Sequence, residues 1–236
     1  STAANANLFV IYLAEFWPGA KNPTPRLVIL TALVGVLAAI NYRGVRAGAQ
    51  TSNVFVVAKL VPLLGFVVAG AIFLWVRHGS SSLLPAAPTG RAPWFEAVLI
   101  LMFAYGGFEA ALIPLAEAKN PRRDAPFALL TALVGVTALY TLVQWVVIEL
   151  LPNAAATDRP LALAAREFLG GTGAAIMAVG ALVSVYGYIA GAMLSAPRLT
   201  FALAERGDFP SPFAAVHPRL RTPTVSILVF AAMVWI

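Results

Sequence analysis

Two adjacent glycines and a carboxylate lie in the middle of a long apolar run, in the string FAYGGFE that covers residues 103–109. Glycine weakens a helix by about 1 kcal/mol relative to alanine, and an acid inside a bilayer is costly unless it faces a cavity or a partner. Two interpretations stay open. Gly106 and Gly107 can allow a neighbouring helix to pack closely, with Glu109 satisfied there. Alternatively, the helix is broken here, and its freed carbonyl groups line a cavity where they accept hydrogen bonds from an ammonium group.

Lys59 is the second candidate, because apolar stretches flank it on both sides (VFVVA before it and LVPLLGFVV after it). A lysine side chain is long enough to snorkel along a helix to the membrane surface. The alternative is an amine that faces the interior of a helix bundle and exchanges a proton as the protein changes conformation. The residues alone leave both interpretations open.

Membrane-spanning helices must position these side chains. A bilayer core needs about 20 apolar residues per helix, and the runs here are continuously apolar, whereas barrel strands alternate. The pattern predicts an all-α, polytopic transmembrane bundle in one domain, with the helix at 94–117 broken near 104–108. Residues 160–169 are too short to span and are predicted to form a surface helix. The predicted spans are 1–17, 26–42, 53–76, 94–117, 126–151, 172–205 and 223–236.

The composition excludes several classes of protein. Of 236 residues, 60% are hydrophobic and 11% charged, against roughly 25% charged in ordinary soluble domains. The net charge of +6 comes from basic residues scattered between apolar runs, which is typical of membrane-protein loops, so no nucleic-acid partner is expected. Cysteine is absent, and the two histidines, His78 and His217, lie in predicted loops. No catalytic cluster, metal site or bound cofactor is therefore expected.

Three strings together resemble the amino acid–polyamine–organocation superfamily of permeases. They are NYRGVRAGAQTSN at 41–53, FAYGGFEAALIPLAEAKNPRRDAP at 103–126 and RLTFALAERGDFP at 198–210. They resemble, in order, the loop between helices four and five, helix six with its following loop, and the end of helix eight. The resemblance covers nearly the whole chain and places it from the second half of helix three to the start of helix nine. It implies part of a LeuT-type inverted-repeat fold, with helices one and six broken at the binding site and helix one outside this chain.

The resemblance also implies a substrate-binding segment. Phe103 resembles the aromatic residue that lies over the substrate in related exchangers. The next four residues resemble the unwound stretch whose carbonyl groups hold the substrate ammonium. These four are Ala104, Tyr105, Gly106 and Gly107.

Three further roles come from the same resemblance. Glu109 resembles an acid just past the helix break that is implicated in gating or coupling. Lys59 resembles the fifth-helix lysine of proton-coupled members, whose amine occupies the place of a sodium ion in sodium-coupled relatives. Asn5 matches a pocket-facing position on helix three.

These features predict a secondary active transporter that moves amino acids by alternating access, with protons as the coupling ion. The alternatives are an exchanger of basic amino acids or polyamines from the same family, and a non-transporting bundle or channel. The expected partners are an amino acid or related amine and the lipid bilayer, and the sequence leaves an oligomer open. The expected location is the inner membrane of a bacterium, as a multi-pass protein rather than an enzyme.

Overall fold

The computed structural model describes residues 2–43, 48–78, 94–106, 120–151, 153–220 and 222–235. Apart from one isolated bridge between Val216 and Pro223, all regular structure in these ranges is helical, which confirms the predicted all-α class. The helices are α1 (Thr2–Leu13), α2 (Pro23–Arg43), α3 (Gly48–His78), α4 (Trp94–Ala104), α5 (Pro121–Leu150), α6 (Pro160–Glu205) and α7 (Thr224–Trp235). Short 3-10 turns occur at Pro18–Lys21, Ala154–Ala156 and Ser211–Ala214.

Four of the described helical segments are long and apolar enough to cross a bilayer. In the best of them the mean hydropathy of an 18-residue window reaches 2.3, and a helix of about 20 apolar residues matches the hydrocarbon thickness. Helices α1 and α7 are apolar but have only 12 residues each. The chain is therefore a multi-span membrane protein, as the apolar runs predicted. The four segments are Pro23–Arg43, Val57–Arg77, Arg122–Leu150 and Pro160–Glu205.

The chain divides into two compact units, Ser1–Gly70 with Asn153–Ile236 and Ala71–Pro152. The core of the first unit is built from stripes of buried residues that recur every three or four positions, which places each stripe on one helix face. Helices α1, α2 and α6 each contribute one stripe, the first extended by Ala14 just after α1, and α7 adds Val234. The stripes are Ala6, Val10 and Ala14 with Leu30, Val34, Leu37, Val185, Ile189 and Met193. The second unit contains the end of α3 together with α4 and α5.

Helix α5 begins at Pro121, earlier than the predicted span at 126–151. Proline is well suited to the first helical position, because its φ is already helical and its missing N–H would have had no partner there. Asp124 lies in the first turn, where a negative charge is favourable beside the positive end of the helix dipole. The helix therefore starts in a polar segment, before the apolar run that marked the predicted span.

Helix α6 contains one break, at Gly170. Its φ of 64° and ψ of −153° belong to a region that is essentially restricted to glycine. Residues 160–169 before it form a helical segment of their own, and residues 171–205 form the long segment; the location of the first segment at the membrane surface stays a prediction. Pro197 lies inside the long segment.

Candidate functional site

Helix α4 ends inside the apolar run where the sequence predicts a break. It has 11 residues, a length of about 16 Å, whereas the bilayer core is about 30 Å thick. The Tyr105 N–H still donates to the Leu101 carbonyl at 2.9 Å, and Tyr105 and Gly106 then form a turn. Carbonyl groups in the last turn of a helix have no intrahelical partner, so this end can accept hydrogen bonds from an ammonium group.

The predicted substrate-binding residues are only partly covered by the structure. The Phe103 backbone belongs to the last turn of α4, and Ala104 is its final residue. The exposed side of this segment includes Ala104 and Gly106, while Tyr105 is half-buried. Gly107 and Glu109 lie outside the described residues.

Tyr105 connects this helix end to α5. Its hydroxyl donates a hydrogen bond to Thr137 Oγ1 at 3.1 Å. Its ring packs edge-on against Tyr140, with centroids 5.6 Å apart and an interplanar angle of 63°. Thr137 and Tyr140 are three positions apart on α5 and therefore share one face of that helix. Neither residue is distinctive in the sequence, because hydroxyl groups recur along many apolar helices.

A stripe of α3 that includes the position of Lys59 packs against α6. The Phe55 ring lies against Tyr186, with centroids 5.6 Å apart, and a Cβ added at Gly187 would lie 3.0 Å from Phe55 Cγ. Further along, a Cβ at Gly180 would lie 2.8 Å from Pro62 Cγ. The two glycines thus let α3 approach α6 more closely than any larger residue would allow.

This packing fixes the level of Lys59 along α6. From Phe55 to Pro62, α3 advances two turns while its contacts on α6 move back from Gly187 to Gly180, so the two helices run antiparallel. Lys59 lies between the two contacts, at the level of Val183. At about 100° per residue, it falls on the same side of α3 as Phe55 and Pro62. Its side chain is exposed, so the described residues alone do not bury the amine.

Asn5, the remaining predicted site residue, lies on α1 with its side chain half-buried. The nearby Asn7 links α1 to α2, because its oxygen accepts from Arg26 Nη2 at 2.6 Å and from Arg26 Nε at 3.2 Å. The Asn7 amide nitrogen donates to the Ala3 carbonyl at 3.1 Å. Asn7 thus contributes to helix packing in the first unit.

An ionic cluster that the sequence analysis missed joins the end of α1 to the start of α6. Glu15 accepts from Arg159 Nη1 through one carboxylate oxygen and from Arg166 Nη2 through the other, both at 2.5 Å. Arg159 immediately precedes the short 160–169 segment, and Arg166 lies inside it, about two helical turns further along, so both fall on one face of that segment. The cluster borders a small pocket of about 60 Å³, and its lining is Glu15, Thr157, Arg159, Ala162, Leu163 and Arg166.

Within the described ranges, His, Asp and Glu residues do not form a group of three or more that could hold a metal ion. The described residues include four apolar helices of bilayer length and the shorter apolar helix α4, which ends at Ala104. These features define a polytopic membrane protein.

The family follows from comparison with known proteins. The family model described as "Amino acid permease" matches residues 1–236. The chain therefore belongs to the amino acid permease family, which consists of transporters rather than enzymes and agrees with the resemblance seen in the sequence.

Three relatives from Bacillus subtilis (strain 168) illustrate the range of the family. The branched-chain amino acid permease BcaP is 28% identical over 220 residues, covering 92% of this chain and 46% of its own length. The methylthioribose transporter is 30% identical over 206 residues, covering 87% and 43%. The serine/threonine exchanger SteT is 30% identical over 210 residues, covering 84% and 47%. The chain thus spans less than half the length of these relatives.

Proposed function

We propose that this chain is part of a secondary active transporter that moves amino acids across the membrane by alternating access. The observation that carries the proposal is that α4 ends at Ala104 after only 11 residues, about half the number that a bilayer span needs. A helix end inside an apolar membrane segment is tolerated where it lines a cavity, and its carbonyl groups are suited to an ammonium group. Family membership and the names of two relatives, a branched-chain amino acid permease and a serine/threonine exchanger, support the same substrate class.

The substrate is proposed to bind with its ammonium group at the segment formed by Phe103, Ala104, Tyr105, Gly106 and Gly107. Backbone carbonyls recognise the part that all amino acids share, so they set the class of substrate rather than its side chain. The methylthioribose transporter is a reminder that relatives of this chain carry other molecules. The substrate screen should therefore include neutral, basic and acidic amino acids, polyamines and a thiosugar.

Proton coupling is proposed to depend on Lys59, with Glu109 as a second gating or coupling group. Lys59 lies along α3 between the two close contacts of that helix with α6, at Phe55 and Pro62. The surroundings of an amine at this position would change whenever the spacing of α3 and α6 changes. Gaining and losing a proton there would link the conformational cycle to the pH gradient.

The test uses proteoliposomes that contain the full-length protein. With an imposed pH gradient, the wild type should accumulate a labelled amino acid above its external concentration. Lys59→Ala should lower this accumulation by at least about 10-fold, which corresponds to about 1.4 kcal/mol of lost driving force. It should still exchange substrate across the membrane when no gradient is applied. Lys21→Ala is the matched control, because Lys21 is exposed and paired with Asp158 at 2.9 Å, and it should accumulate substrate normally.

The results separate the parts of the proposal. Failure of the wild type to transport any amino acid would overturn the proposed function. Transport that depends on sodium and ignores pH would leave the function standing and refute the role of Lys59. Uptake that occurs only when the vesicles are preloaded with substrate would establish exchange, the mode stated in the name of the relative SteT.

A further inference from the structure

We propose that Thr137 and Tyr140 of α5 are positioning residues for the substrate-binding end of α4, acting through Tyr105. The inference rests on the proposed function, because it concerns the same binding segment. It extends that function to a helix for which no role in binding has been described above.

The contact of Tyr105 with Thr137 and Tyr140 lies at the C-terminal end of α4. Tyr105 is the first residue after α4, so its side chain is one residue from the last helical carbonyl, that of Ala104. The hydrogen bond to Thr137 Oγ1 is 3.1 Å long, and the Tyr140 ring lies edge-on to the Tyr105 ring at 5.6 Å. A hydroxyl contact and a ring contact from the same helix face together restrict both the position and the orientation of Tyr105.

Losing the hydrogen bond between Tyr105 and Thr137 should be costly, because it lies in an apolar environment. All three side chains belong to apolar segments, with Thr137 in a helix whose hydropathy and length suit a membrane. A hydroxyl that loses its partner in such surroundings leaves an unsatisfied polar group. The Tyr105 N–H still donates to the Leu101 carbonyl, but Tyr105 and Gly106 form a turn, and the side chain of Tyr105 adds the contacts that hold this turn against α5. The position of Tyr105 therefore affects the carbonyl groups that are proposed to meet the substrate.

The competing interpretation is that Thr137 and Tyr140 serve only to hold two helices together, as hydroxyl groups often do in membranes. The two interpretations differ in what a substitution changes. A positioning role affects the apparent affinity for substrate in protein that is folded and inserted. A purely structural role lowers the amount or stability of the protein and leaves KM unchanged.

The experiment measures KM and kcat for uptake by the full-length protein in proteoliposomes, with rates normalised to inserted protein. Tyr105→Phe and Thr137→Val each remove one side of the hydrogen bond while keeping the shape of the side chain. Each should raise KM by about 3- to 10-fold, the effect of losing one typical hydrogen bond, with a smaller change in kcat. The double variant should be no worse than either single variant, because both remove the same interaction.

Matched controls lie on the same helix. Thr141→Val removes a hydroxyl one turn further along, which donates to the Thr137 carbonyl of its own helix at 2.8 Å, and it should leave KM unchanged. Thr137→Ser, unlike Thr137→Val, keeps the hydroxyl group and should have the KM of the wild type. Tyr140→Phe keeps the ring and should behave as wild type, whereas Tyr140→Ala should raise KM.

The experiment distinguishes a failure of the positioning role from a failure of the proposed transport function. If the wild type transports amino acids but Tyr105→Phe and Thr137→Val have wild-type KM, the positioning role is refuted and the function stands. If Thr141→Val raises KM as much as Thr137→Val, the effect is a general one of this helix face, which also refutes the proposal. If Thr137→Val does not insert into the membrane, Tyr105→Phe still decides, because it changes only the hydroxyl group.

Discussion

Glu15 should hold the end of α1 to the 160–169 segment through two unequal ion pairs, and removing its charge tests this. Its side chain is only 12% exposed, compared with 27% for Arg159 and 52% for Arg166. Glu15→Gln keeps the size of the side chain and removes the negative charge from both pairs. Because Glu15 and Arg159 lie in surroundings with little water, that pair should contribute most of the effect.

The magnitude follows from the exposure of each partner. A hydrogen bond to a charged group in a partly buried site contributes about 1.5–3 kcal/mol, whereas an ion pair with an exposed partner contributes about 0–1 kcal/mol. Glutamine retains an oxygen that can accept from one arginine. We therefore expect Glu15→Gln to lower the free energy of unfolding by about 1–3 kcal/mol, Arg159→Gln by a similar amount, and Arg166→Gln by less than about 1 kcal/mol.

The assay is thermal unfolding of the full-length protein in detergent. At about 2 °C per kcal/mol for a chain of this size or larger, Glu15→Gln should lower Tm by about 2–6 °C. Adding Arg166→Gln to Glu15→Gln should cost little more, because the pair is already broken. High salt should reduce the effect of Arg166→Gln more than that of Arg159→Gln. The reasoning is refuted if Arg166→Gln costs as much as Arg159→Gln, or if the double variant shows the sum of the two single effects.

Two further predictions concern the same region. Gly170→Ala should lower the free energy of unfolding by about 1–3 kcal/mol, because only glycine adopts its φ of 64° and ψ of −153° without strain. Gly171→Ala is the control and should be neutral or stabilising, since no atom lies within 4 Å of an added Cβ; equal Tm losses in both would contradict the argument. The hydrogen bond from Lys21 and its positive charge lower the pKa of Asp158, so the pair stabilises the fold above the ordinary carboxyl pKa and loses its effect as pH falls through the lowered value. Comparing Tm of the wild type and Asp158→Asn across pH 2–7 should show a small difference that closes at the acid end; a difference that widens there would contradict this sign.

The helical class and the multi-span character could be predicted from the sequence because both depend on local properties. A continuous apolar run must satisfy its own backbone hydrogen bonds in lipid, and a helix does so without any partner. A separate helix at 160–169 could be predicted for a similar reason, since that stretch is too short to span, whereas the break at Gly170 itself was not predicted. The first residue of α5 was harder to predict from the sequence, because a helix can extend from the apolar run into a polar segment such as Pro121–Asp124.

The contacts that position the candidate site could not be predicted in this way. Nothing in the spacing of Tyr105 and Thr137 along the chain indicates that their hydroxyl groups meet at 3.1 Å. The Glu15 cluster likewise joins residues that are far apart in sequence, Glu15 with Arg159 and Arg166. Hydropathy evaluates each span alone, whereas these interactions depend on which helix faces pack together.

Lys59 shows how packing changes the meaning of a residue that the sequence leaves ambiguous. Considered along α3 alone, a lysine with apolar neighbours can snorkel to the surface, and no feature of the helix argues against it. The contacts of Phe55 with Gly187 and of Pro62 with Gly180 place it on the side of α3 that faces α6. Its side chain is nevertheless exposed among the described residues, so the packing alone does not bury the amine. Its proposed role in proton coupling therefore rests on its position along α3 between two close glycine contacts, and the uptake assay with Lys59→Ala tests that role.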